Sequence, residues 1–252
     1  MNDNKFIIIA HRGESYDAPE NTLASISLAW YRNADAVEVD VQLTKDEKIV
    51  VIHDRTTWRT GRKYKRISSV SYNDLKNIDV GSFKDISFSD ERIPLLSEVI
   101  DTIPSNKQLF VEIKSDDSIV KPLENLITGK NVIPQSIRFI GFDMNTLKKI
   151  KHALPAFDVY WIVPRVDYKN NFRTNETIAK CIEAGFNGLD VQYGAKLNKN
   201  VILPVKEHNL KIYTWTVDDT QTAERLFSEG IDGVTTNRAG WMKTELLKMK
   251  II

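Results

Sequence analysis

Nine short apolar segments, most of them rich in β-branched residues, recur along the chain with helical patterns between them. They are "KFIIIAH" (5–11), "AVEVDVQLT" (36–44), "KIVVIHD" (48–54), "QLFVEIK" (108–114), "IRFIGF" (137–142), "VYWIV" (159–163), "GLDVQ" (188–192), "KIYTWTV" (211–217) and "DGVTTN" (232–237). Several are apolar at nearly every position, as strands covered on both faces must be. The intervening stretches carry helical spacing. "NTLASISLAWYRNA" places Leu23, Ile26, Leu28, Ala29 and Trp30 three and four apart, after a capping residue expected at Asn21. "DDTQTAERLFSEG" starts on a capping-type aspartate and stops at Gly230, suited to a left-handed cap. "DMNTLKKIKHALP" and "TNETIAKCIEAG" read the same way.

If 36–44 and 48–54 form one hairpin around "KDEK", the strand–helix units number about eight within 252 residues, the count and size of an α/β TIM (β/α)8 barrel. A doubly wound open sheet would need fewer strands and a glycine-rich loop after the first, where only Gly13 stands. The expectation is a single domain, 1–252, long enough for one sizeable core. Residues 55–94 interrupt the alternation. They are rich in Ser, Asp, Lys and Arg, with too few apolar positions for an independent core, and read as a small insertion after the second unit, capping one mouth of the barrel.

Charge and cysteine usage narrow the function classes. With 35 basic and 34 acidic residues the formal net charge is +1, so no global field favours nucleic acid or an anionic membrane. The basic run "GRKYKR" lacks an aromatic stacking platform. No stretch approaches about 18 apolar residues, and "MNDNKF" has no apolar signal region. The reading is cytoplasmic, or periplasmic or exported if a signal peptide has been removed, with no stable membrane insertion. The lone cysteine, Cys181, excludes an internal disulfide and sits in a helical pattern as a small packing residue.

In a barrel of this kind the strand C-terminal ends surround the site. Those ends bring His11, Arg12, Glu38, Asp40, His53, Glu112, Lys114 and Trp215. In "VEVDV", Glu38 and Asp40 are two apart and share one face, with the valines on the other; "VEIK" repeats the device with Glu112 and Lys114. Inward carboxylates repel and are desolvated unless neutralised. Three converging acids make an oxygen-lined site suited to Mg²⁺ or Ca²⁺ more than to zinc; the competing reading is a buried ion-pair network with Arg12 and Lys114. His11 and His53 end strand patterns, whereas His152 and His208 lie near helix ends. Imidazoles exchange protons near neutrality, and Arg12 and Lys114 supply fixed donors to a phosphoryl oxygen. No GxxxxGK[ST] loop, HExxH motif or CxxC pair is present. The set describes phosphoryl chemistry on a small anionic ester.

"AHRG" with "PENT" behind it, "VEVDVQLTKDEKIVVIHD", "FVEIK", "YTWTV" and "GIDGVTTN" resemble the glycerophosphodiester phosphodiesterase family along nearly the whole chain. The resemblance implies a TIM barrel with a small insertion after its second unit. It also implies one divalent cation, Mg²⁺ or Ca²⁺, and hydrolysis of a small-molecule glycerophosphodiester to sn-glycerol 3-phosphate and an alcohol. Carried over by position, Glu38, Asp40 and Glu112 would bind the metal, His11 and His53 would be the acid–base pair, and Arg12 and Lys114 would hold the phosphate. Glu20 and Asn21 would shape the first loop and contribute, with Trp215, to the substrate wall. Two stretches depart from the family pattern: Gly141-Phe142-Asp143 where Ser-Phe-Asp is usual, and "TNRAG" where Thr-Asp-x-Pro is common. Tyr16, Trp58, Tyr64 and Tyr193 are candidates for the mouth. Two rival readings are a sphingomyelinase D-like phospholipase, disfavoured by the polar insertion, and a non-catalytic metal-dependent binding barrel, disfavoured by the complete set of acids and histidines.

Overall fold

A computed structural model describes residues 6–163, 171–194 and 197–252. Strand β1 (Ile7–His11) is followed by helix α1 (Leu23–Tyr31), then β2 (Ala36–Leu43) and β3 (Ile49–Val51). The insertion holds the single-turn α2 (Trp58–Gly61) and leads to α3 (Leu96–Asp101). Six further strands then alternate with six helices: β4 (Gln108–Ile113), α4 (Val120–Gly129), β5 (Ile137–Gly141), α5 (Met144–Ala153), β6 (Asp158–Val163), α6 (Asn171–Glu183), β7 (Gly188–Gln192), α7 (Lys199–Glu207), β8 (Lys211–Trp215), α8 (Thr220–Ser228), β9 (Gly233–Thr236) and α9 (Ala239–Lys248).

The strands form one sheet in the order β1-β9-β8-β7-β6-β5-β4-β2-β3, and β1 also pairs with β2. Eight parallel strands therefore close into a barrel, with β3 hung antiparallel on β2 (Val41 opposite Val51). This is the (β/α)8 architecture. The apolar strand sequences follow from it. Val37, Val39, Val41, Val111 and Ile113 point outward into the layer beneath the helices, while the alternate residues point into the barrel. There Ile9, Ala36, Phe110, Ile140, Tyr160, Ile162 and Tyr213 make a separate inner cluster. The rings of Phe110, Tyr160 and Tyr213 lie 5.1–6.1 Å apart between centroids and plug the barrel at mid-height. Everything polar on the inner face above that plug is confined to the C-terminal mouth.

Two local expectations are revised. Helix α1 is capped by Thr22, not Asn21: Thr22 is extended and its side chain accepts from the Ser25 N–H, whereas Asn21 has φ +58 and its amide is engaged elsewhere. Residues 55–94 do cover an apolar cluster of Ile67, Leu75, Ile78, Val80 and Ile93, but it depends on Val50 and Ile52 from the β3 hairpin. Side chains of the segment reach across to the barrel: Arg59 to Glu20, Lys84 to the Ser15 carbonyl (2.9 Å), and Glu91, which accepts from the Ala24 N–H at the start of α1 (3.3 Å). Cys181 is buried, and its thiol donates to the Gly188 carbonyl at 3.4 Å. No helix among the described residues is long and apolar enough to cross a membrane.

Candidate active site

The turn after β1 sets the geometry. Arg12 has φ +56 and Gly13 φ +79; a Cβ on Gly13 would lie 2.5 Å from the Ser25 backbone, so only glycine fits where the chain folds back against α1. The turn directs the Arg12 N–H to Glu38 Oε2 (2.9 Å). Its guanidinium reaches Asp40 Oδ2 (3.1 Å) and Glu20 Oε1 (2.9 Å).

Strand register levels the charges. His11 lies beside Glu38, and Asp40 beside Glu112. Glu38, Asp40 and Glu112 each bring one carboxylate oxygen within 4.8 Å of the others, and all three are buried. Lys114 Nζ stands 3.2 Å from Asp40 Oδ1 and 2.5 Å from Glu112 Oε1. Glu38 Oε1, Asp40 Oδ1 and Glu112 Oε1 lack hydrogen-bond partners, the last two having only this ion-pair contact. Burial and the neighbouring carboxylates of Asp40 and Glu112 push Glu38 well above the usual range. Burial and Asp40 likewise push Glu112 up to about 7. Asp40 is held down, because Arg12 and Lys114 more than offset its burial. Three acids thus face two cations, with Glu38 Oε1 left without a partner and no nitrogen or sulfur donor among them. That donor set fits a hard divalent cation.

Both imidazoles are oriented through Nδ1. His53 Nδ1 lies 2.7 Å from Asp54 Oδ1, and burial cannot keep Asp54 from falling to about 2 against its hydrogen bonds from Arg59 and His53. An ionised carboxylate only accepts, so His53 carries its proton on Nδ1. His11 Nδ1 lies 2.8 Å from Asn237 Oδ1. The amide's other end, Nδ2, donates to Asp218 Oδ2 at 2.6 Å, which turns Oδ1 toward His11 and again places the ring proton on Nδ1. Burial, then the Arg12 charge, lower the His11 pKa from its ordinary value. The His53 segment is tethered by Gln42 on the inner face of β2, whose amide donates to the carbonyls of Ile52, His53 and Asp54.

A cavity of about 170 Å³ is lined by His11, Arg12, Glu38, His53, Glu112, Lys114 and Trp215. The residues expected at the strand ends therefore converge, with Asp40 just behind the wall. The rest of the cavity lining is Ile140, Ile162 and Phe142 on the apolar side, with Asp190 and Thr235. Glu20 and Asn21 do not join this wall. Asn21 stands behind Asp40, donating to Oδ2 (2.8 Å) and accepting from its N–H (3.1 Å); Glu20 is held by Arg12 and Arg59 beside a second, rim cavity of about 270 Å³. Tyr16 borders that rim cavity, whereas Trp58 and Tyr64 are exposed outside both, and Tyr193 packs on the core with its hydroxyl 3.5 Å from Thr222 Oγ1.

The residues at or behind the site that escaped the strand-end reading include Asp54, Asn237, Arg59, Asp190, Gln42 and Asp218. Asp190 was discoverable, since "GLDVQ" alternates as "VEVDV" does and puts it inward. Arg59 was not, because its reach depends on how the insertion folds back.

The profile of the Glycerophosphoryl diester phosphodiesterase family matches residues 11–241. YhdW of Bacillus subtilis is 32% identical over 232 residues, covering 91% of this chain and 93% of that protein. A glycerophosphodiester phosphodiesterase of Caldanaerobacter subterraneus is 31% identical over 242 residues, covering 92% and 94%. Among solved structures, a phosphodiesterase of Oleispira antarctica in complex with its product sn-glycerol 3-phosphate superposes with a TM-score of 0.84 at 26% identity, over 95% of this chain and 96% of that one. The chain belongs to the glycerophosphoryl diester phosphodiesterase family, a family of phosphoric diester hydrolases.

Proposed function

We propose that this protein hydrolyses small glycerophosphodiesters to sn-glycerol 3-phosphate and an alcohol, using His11 and His53 as the acid–base pair and a divalent cation held by Glu38, Asp40 and Glu112. One observation carries the reading: two imidazoles presenting Nε2, two fixed cations and the carboxylates of Glu38 and Glu112 share a single small cavity, with Asp40 completing the acidic trio just behind its wall. When bound, a cation such as Mg²⁺ or Ca²⁺ supplies charge for phosphoryl oxygens and acidifies a hydroxyl. The rest is the chain's own work. Arg12 and Lys114 hold non-bridging oxygens, Arg through its planar fork. The depressed pKa of His11 keeps it neutral and able to take a proton through Nε2, while Asp54 at Nδ1 turns the His53 ring to serve as the complementary partner of the pair. The apolar wall of Ile140, Ile162 and Phe142 excludes water beside the reacting ester. Residues 55–94 form the cap at this mouth, tied down through Arg59 and Lys84.

The test is a coupled sn-glycerol 3-phosphate assay over several glycerophosphodiesters, with and without chelator. Turnover of at least one diester, abolished by chelator and restored by Mg²⁺ or Ca²⁺, is expected. Release of no glycerol 3-phosphate from any of them would sink the reading, and turnover indifferent to chelator would remove the cation from it.

A further inference from the structure

One buried ionisable group has no part in the chemistry above. Asp190, on the inner face of β7, is buried, and its Oδ1 has no hydrogen-bond partner. It lies level with Ile162 on β6 and Tyr213 on β8, beside the aromatic plug, and lines the 170 Å³ cavity. A carboxyl without a partner among such neighbours is costly to the fold. Trp215, from the adjacent strand, brings a second buried polar atom into the same cavity, and its Nε1 is also without a partner. Around the closed ring, β7 is four strands from β2 in either direction. Asp190 therefore faces Glu38 and Asp40 from diametrically across the mouth.

A ligand whose phosphoryl group rests against Arg12 and Lys114 can extend one end across the same cavity toward Asp190 on β7 and Trp215 on β8. At about 170 Å³ the cavity is smaller than the usual site for a drug-sized ligand, which favours a short polyol at this end. We propose that Asp190, with Trp215 Nε1 beside it, binds a hydroxyl of the glycerol moiety and is the specificity residue that distinguishes a glycerol phosphoester from a bare phosphate. The proposal rests on the phosphodiesterase reading above and names the group that recognises its substrate. Hydroxyl chemistry suits both orphans. Burial and the Glu112 charge push Asp190 well above the usual carboxylate range, and a neutral carboxyl both donates and accepts, as a hydroxyl does; the indole N–H donates to a second oxygen.

The test titrates sn-glycerol 3-phosphate and, separately, inorganic phosphate calorimetrically into Mg²⁺-loaded wild-type, Asp190→Ala and Asp190→Asn proteins, with melting temperatures recorded alongside. Loss of a hydrogen bond to a buried carboxyl should weaken glycerol 3-phosphate by about tenfold or more in Asp190→Ala. Phosphate affinity should stay within about twofold, and Asp190→Asn should retain part of the preference. Removing an unpaired buried carboxyl should leave the melting temperature equal or higher. Equal losses for both ligands, no loss for either, or a clearly lowered melting temperature would overturn the proposal, the last by making Asp190 a structural residue. Turnover of the same panel of glycerophosphodiesters by the wild type is measured in parallel. Its absence would refute the phosphodiesterase reading, whereas the ratio of the two affinities decides the role of Asp190.

Discussion

Asn237 shows how one amide can set the behaviour of an imidazole. It is clamped by Asp218 through both its own N–H (2.8 Å) and Nδ2 (2.6 Å), and so offers His11 only an acceptor. A neutral acceptor orients the ring without stabilising its charged form as a carboxylate would, and burial with Arg12 lowers the His11 pKa. If His11 must be neutral to act, the acid limb of kcat/KM should lie below the ordinary histidine value of 6.5. Asn237→Asp places a carboxylate against Nδ1 and should move that limb to higher pH; a pH–rate profile checks it, and an unmoved limb would detach His11 from the titration. Separate His11→Ala and His53→Ala substitutions should each cost about 10²–10⁴ in turnover, with wild-type rates in both ruling out the assignment. At this scale the sequence shows residue types and strand ends, and the inward pairs Glu38/Asp40 and Glu112/Lys114 follow from alternation alone. The orientation of His11 does not, because Asn237 lies 226 positions away.

Among the elements, the insertion is bound to the barrel through one side chain more than any other. Arg59, on the single-turn α2, grips Asp54 through Nε (2.7 Å) and Glu20 through both terminal nitrogens (2.7 and 2.8 Å). Asp54 falls from 3.8 to about 2, so the clasp contributes stability that is present above the unfolded value and lost as the pH falls toward 2. The groups are partly exposed, and the contribution should be about 1 kcal/mol or less. Arg59→Ala should therefore melt slightly below the wild type at pH 7, and the gap should narrow as the pH drops from about 4 to about 2; a gap that is constant across that range would show the clasp does not titrate. The strands themselves were legible because burial on both faces leaves a nearly unbroken apolar signature, and "GLDVQ" occupies the same 188–192 in sequence and structure. The α1 cap was misplaced by one residue, since Asn21 and Thr22 are both capping types and only the pull of Asp40 on Asn21 separates them.

Over the whole molecule, the barrel gathers three carboxylates that no isolated strand could keep together. Their mutual repulsion and burial oppose folding, so a bound cation should appear as global stabilisation. At about 100 times its dissociation constant, Mg²⁺ or Ca²⁺ should add about 2.7 kcal/mol, about 5–10 °C in melting temperature for a chain of this size. The rise should be reversed by chelator and reduced in Glu38→Gln and Glu112→Gln. No cation-dependent shift in the wild type would remove the metal from the site. The amino-acid sequence alone determined the alternation of strands and helices, the count of units, the inward placement of the acids and the confinement of charge to strand ends, since each is a local consequence of periodicity and burial. Only closure of the sheet decided which charges meet. Bringing β1 against β2 levels His11 with Glu38, and eightfold closure puts Asp190 across from both β2 acids, because distance through space in a ring of strands is set by pairing order and register, which local sequence does not encode.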